Sequence, residues 1–162
     1  MQQWHRRTVL PSRHGGAIST TLLWAHRVLG ERPVKPRILL VEDDFAVRDA
    51  ISLVLKLEGY EVVAVGSLEE ARQKAREIEG MDVLVTDYHL SNGETGTQVM
   101  AALREQSQQP VKAVLITGDP SLAGENPARE RDPYLRVAGK PIRAQELVTL
   151  IKNLLATNTP SA

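Results

Sequence analysis

From Arg37 to Ala156, apolar runs of strand length alternate with stretches of helical period. Arg37–Val41 (RILLV) is a continuous apolar run ending in acids, the pattern of a strand buried on both faces. Phe45 to Leu57 then sets Val47, Ala50, Ile51, Val54 and Leu55 on one helical face, and Gly59 closes it. Glu61–Val65 (EVVAV) predicts a second strand. Ser67 is a good N-cap with Glu69 and Glu70 in the first turn, which opens a helix to about Ile78. Met81–Thr86 (MDVLVT) predicts strand three, ending at Asp87. The turn-rich Ser91-Asn92-Gly93-Glu94 leads to a helix from about Thr95 to Gln106, and Val111–Thr117 (VKAVLIT) predicts strand four. A short helix is expected around Leu122–Arg131, weakened by Gly124 and Pro127. Tyr134–Ala138 is a thinner fifth strand, and Arg143–Ala156 a final helix with Leu147, Leu150, Ile151, Leu154 and Leu155 as its stripe.

Five β–α units imply an α/β fold, a doubly wound parallel sheet with helices on both faces. Pro33 and Pro36 bracket a polar hinge, so residues 1–36 read as a basic extension or linker, 37–156 as the domain and 157–162 as a frayed tail. A domain of that size buries roughly two-thirds of its unfolded surface, enough for a core of its own.

Charge sharpens this division. Residues 1–36 hold six Lys and Arg against one acid, whereas the remainder carries 14 basic and 19 acidic residues, a net of −5. The acidic body argues against nucleic-acid binding by the domain. With no cysteine, disulfides, thiolate metal sites and a cysteine nucleophile are excluded. No run approaches the roughly 18 apolar residues of a membrane span. Arg6-Arg7 precede the moderately apolar Ile18–Leu29, but polar residues break that stretch and it lacks a convincing cleavage site; it reads as untargeted, with a signal or twin-arginine export sequence as the alternative. His5, His14 and His26, spaced by 9 and 12, fit no compact metal site. The extension reads as a flexible leader, a linker or an early start; a short helix over Ser19–Leu29 that packs on a partner is the alternative.

Doubly wound sheets bind ligands at the carboxyl ends of their strands. Here those ends bring Glu42-Asp43-Asp44, Asp87, Thr117-Gly118 and Lys140-Pro141 to one edge. Clustered carboxylates repel one another unless a cation offsets their charge, and hard oxygens with open water positions suit Mg²⁺. A carboxylate can also act as nucleophile toward phosphorus. Each residue alone has a plainer reading. Asp44 could cap the helix starting near Phe45, Asp87 could sit in a turn, and Thr117 and Lys140 could be ordinary strand-end and surface residues. An unpartnered acid after an apolar strand is costly, which favours a site at Asp87.

The set VEDD, DYHLSNGETG, LITGD and GKP resembles the response-regulator receiver family. Its separations match too: 43 residues from Asp44 to Asp87, 30 on to Thr117 and 23 more to Lys140. The resemblance covers about residues 37–156 and implies the flavodoxin-like order 2-1-3-4-5 with five helices. It implies Asp87 as phosphoacceptor, Asp44 as direct Mg²⁺ ligand, Asp43 as an acid reaching the metal through water, and His89 as donor of a backbone carbonyl. Thr117 matches the switch hydroxyl and Lys140 the phosphoryl-binding lysine, followed by a cis bond to Pro141. The family often has Tyr or Phe three residues before that lysine, where this chain has Val137, and the side chain of His89 is expected over the incoming phosphoryl group.

The role this resemblance implies is phosphorylation-controlled signalling in the cytoplasm. The phosphodonor would be a histidine kinase or histidine phosphotransfer protein, and an unknown downstream protein would read the result. No membrane partner is expected, and a homodimer would form through strands four and five and the last helix. The domain would catalyse only its own Mg-dependent phosphorylation and dephosphorylation. No output domain is expected after Ala156, so a stand-alone regulator, a shuttle or a receiver of a hybrid kinase are the expected settings. A haloacid-dehalogenase-type phosphatase would place its nucleophile in D-x-D after strand one, and a Rossmann domain needs a glycine-rich loop there. An interaction module independent of phosphorylation would not need Asp44, Asp87, Thr117 and Lys140 intact.

Overall fold

Five short, largely apolar strands stack side by side, and helices cover the interior strands on both faces. The structure, a computed structural model, describes residues 35–78, 80–119, 121 and 132–157. In chain order the elements are β1 (Arg37–Val41), α1 (Phe45–Leu57), β2 (Glu61–Val65), α2 (Leu68–Glu77) and β3 (Val83–Asp87). A 3-10 turn at Ser91–Gly93 precedes α3 (Gly96–Ser107), followed by β4 (Ala113–Thr117), β5 (Leu135–Gly139) and α4 (Ala144–Ala156). All strand pairs are parallel and the order is β2-β1-β3-β4-β5. Four α-helices stand among the described residues. The fifth, expected around 122–131, lies outside them, as do the basic extension through residue 34 and the last five residues of the tail.

Strand parity divides the core. Ile38 and Leu40 face one side with Val83, Val85 and α4, while Leu39 and Val41 face the other with Leu84 and α3. Local chemistry sets the helix starts. Asp44 caps α1, Ser67 caps α2, and Thr95 with Gln98 forms a capping box on α3. Gly96 must be glycine: a Cβ there would come closer than 3.0 Å to the Asp87 carbonyl, Leu115 and Thr86. That close approach lets α3 begin directly against the end of β3.

Candidate functional site

Parallel register determines which acids meet. Val41 pairs with Thr86, so one step further Glu42 stands level with Asp87, and both belong to the side-chain parity that faces α1 and α4. Carboxylate oxygens of Glu42, Asp43 and Asp87 lie within 4.8 Å of one another. Asp87 is buried, and its Oδ2 accepts a hydrogen bond of 2.7 Å from Lys140 Nζ, which leaves the other oxygen of that carboxylate outside the pair. Lys140 is carried to this point by β5: its amide donates to the Thr117 carbonyl at 2.7 Å, and the Lys140–Pro141 bond that follows is cis.

Each charge has an identifiable environment. Burial pushes the Glu42 carboxyl above its ordinary range; the Asp44 amide it accepts from opposes this, and the Asp87 charge adds to it. The Ser91 hydroxyl, 2.5 Å from Asp43 Oδ2, holds the Asp43 carboxyl below its ordinary range. Burial works against the Lys140 ammonium, but the hydrogen bond and charge of Asp87 outweigh it and raise its pKa.

Asp44 departs from the sequence expectation. Its Oδ1 accepts the amides of Ala46 and Val47 at 2.8 and 3.0 Å, which commits the side chain to capping α1, and the acidic group contains Glu42 in its place. The plainer reading of Asp44 as a helix cap is the one the geometry carries. Thr117 is fully buried at the end of β4, where its Oγ1 accepts the Asp119 amide at 3.1 Å. His89 is exposed on the loop after β3, bridged through its backbone to Thr95, with its ring edge-on to Tyr88 at 4.7 Å. Val137 is half-buried in β5 opposite Leu115.

Two further residues shape the site without having been singled out by sequence. Arg48, one turn into α1, donates to the Glu42 carbonyl at 2.6 Å and to the Asp43 carbonyl at 3.3 Å, pinning the acidic loop. Ser91 reaches the same loop from the far side of the site. Neither carries a local signature, since each acts through a contact made only in the folded chain.

The donor set fits a hard divalent cation. Three carboxylates converge, with Glu42 buried beside Asp87, and Lys140 offsets only part of their charge. Such a site can hold Mg²⁺ against Asp87 and leave room for water or a phosphoryl oxygen.

Comparison with known proteins agrees with this arrangement. The family model for the response regulator receiver domain matches residues 38–152. The transcriptional regulatory protein AruR of Pseudomonas aeruginosa is 31% identical over 74% of this chain and 49% of its own length. The chain thus spans about half the length of the curated relatives it matches. Among solved structures, a response regulator receiver protein from Sinorhizobium medicae is 25% identical with a TM-score of 0.63, covering 75% of this chain and 95% of that one. The receiver domain of the hybrid histidine kinase CckA is 28% identical with a TM-score of 0.60, covering 74% and 98%. With the acids, Thr117 and Lys140 at the strand ends of such a sheet, the chain belongs to the response regulator receiver family of two-component signalling.

Proposed function

We propose that the chain takes a phosphoryl group on Asp87 from phosphohistidine of a histidine kinase or phosphotransfer protein, in the cytoplasm. The observation that carries the reading is the buried Asp87, paired with Lys140 and flanked by Glu42 and Asp43 at the carboxyl edge of the sheet. Glu42, Asp43 and Asp87, with the His89 backbone carbonyl, would hold a divalent ion, which would supply the positive charge that lets two anions meet. An Asp87 oxygen attacks phosphorus, the P–N bond breaks, and its electron pair leaves with the imidazole, which then takes up a proton. Lys140 follows the charge onto the transferred group, and the Thr117 hydroxyl, which accepts the Asp119 amide, turns to donate its own proton to a phosphoryl oxygen.

A protein donor is supported by the surface beside the site. Phe45, Val47, Leu53 and Leu57 of α1 are exposed, and Ala46, Ala50, Pro141 and Ile142 line an adjoining groove of about 660 Å³ that ends at Glu42 and Lys140. A helix bearing the phosphohistidine would bury that apolar face while presenting its imidazole to Asp87. The modified state would then be read on β4, β5 and α4 by a downstream protein or a second copy. Because the receiver is acidic and Val137 offers no ring, we assign that readout to backbone and Thr117 movement against a protein surface.

Incubation with acetyl phosphate and Mg²⁺ tests the reading by intact mass. The chain is expected to gain one phosphoryl group and the Asp87→Asn variant none; equal labelling of both overturns it.

A further inference from the structure

The loop between β3 and α3 is built more tightly than a connection needs. Asn92 and Gly93 are consecutive left-handed residues, with φ of 63° and 77°. The Leu90 amide donates to the Glu94 carbonyl at 3.0 Å and the Gly96 amide to the Tyr88 carbonyl at 2.9 Å, which sets His89 opposite Thr95 across the loop's base. The Glu94 carboxylate accepts the Leu68 amide at 3.0 Å, which fastens the loop to the first turn of α2. This framework aims the Ser91 hydroxyl at Asp43 Oδ2, a residue 48 positions away in sequence.

We propose that Ser91 is a positioning residue for the divalent ion: its hydroxyl fixes the Asp43 carboxylate in the orientation that binds the metal. The inference rests on the ion site proposed above and goes beyond it in naming what orients a ligand. Asp43 is only half-buried, so polar contacts hold its carboxylate, and the Ser91 hydrogen bond is the strongest of them. Mg²⁺ demands near-octahedral geometry at short distance, and a wandering carboxylate meets that demand poorly. A hydroxyl has one proton to give. Donated to Oδ2, it leaves Oδ1 and a lone pair of Oδ2 for the ion. The stiff loop behind Ser91 makes this a fixed donor rather than a passing contact.

Calorimetric titration of Mg²⁺ into the full chain tests this, with Asp43→Asn, Ser91→Ala and Ser91→Thr alongside. Ser91 is exposed, so melting in chelator should be unchanged in all its variants. Loss of the hydroxyl in Ser91→Ala should weaken Mg²⁺ binding about tenfold, the usual cost of removing an outer partner of a metal ligand. Ser91→Thr keeps a hydroxyl and should stay within about threefold of the parent. Equal affinity of parent and Ser91→Ala overturns the role of Ser91 while leaving the ion site intact. Equal weakening by Ala and Thr also overturns it, since loop shape rather than the hydroxyl would then matter. If the parent takes up no Mg²⁺, or Asp43→Asn binds as well as the parent, the ion site fails and the inference with it.

Discussion

β3 and β4 are buried along all five of their residues, whereas β2 and β5 run along the two edges with most residues partly exposed. The central pair carries Asp87 and Thr117; the edge strand β5 carries Val137 and delivers Lys140. A central strand is held by hydrogen bonds on both sides and side chains on both faces, and an edge strand has half of that ladder. The carboxylate of Asp87, the proposed phosphoacceptor, is therefore mounted on the stiffest part of the sheet. Lys140, which pairs with that carboxylate, follows directly on the part that moves at least cost. The proposed receiving role thus falls on the central β3, and the proposed reporting role on the end of β4 and the edge strand β5.

Substitutions should expose that division. Leu84 is fully buried in β3, and Leu84→Ala should cost about 2–5 kcal/mol in chemical denaturation. Val137 is half-buried in β5, and Val137→Ala should cost about 1 kcal/mol or less while leaving acetyl phosphate labelling of Asp87 in place. Equal costs at the two positions would erase the contrast.

The smallest effect has the opposite sign. Glu42 is buried, and its carboxyl lies above its ordinary range because burial, with the nearby Asp87, disfavours the charge. The unfolded carboxyl gives up its proton at a lower pH than the folded one, so the folded state binds more protons between those values. Stability contributed by Glu42 is then present at low pH and is lost as pH rises through the raised value. Glu42→Gln should give a slight rise in Tm at neutral pH in chelator, a flatter stability–pH curve, and weaker Mg²⁺ binding by calorimetry. A fall in Tm would mean that the acid is not under charge stress.

Much of this architecture is written in hydrophobic period. RILLV, EVVAV and the apolar part of MDVLVT become strands because unbroken apolar runs need cover on both faces, and Ser67 and Thr95 mark helix starts by capping. Boundaries shift where the pattern is weakest. β3 begins at Val83 rather than Met81, and β4 at Ala113 rather than Val111, while Met81 and Val111 still pack with the core just before their strands. The acids are harder to read. VEDD offers three carboxylates in a row, and which two turn inward depends on where β1 ends and on what competes for the third. Register against β3 selects Glu42, and the bare amides of α1 claim Asp44. The cap signal is present in the sequence; its precedence over the ion site is a matter of geometry. Ser91 and Arg48 are silent there because a donor reaching across the fold has no local pattern.

The central claim is that a phosphoryl group on Asp87 leaves β3 in place and moves the end of β4 together with the edge strand β5. Titration of the ¹⁵N-labelled chain with beryllofluoride and Mg²⁺ tests it directly through amide shifts. The account predicts large changes at Thr117–Asp119 and Val137–Lys140, with Val83–Val85 nearly still and no change in Asp87→Asn. Absence of any shift at Thr117 and Lys140, or the same shifts in Asp87→Asn, would contradict it.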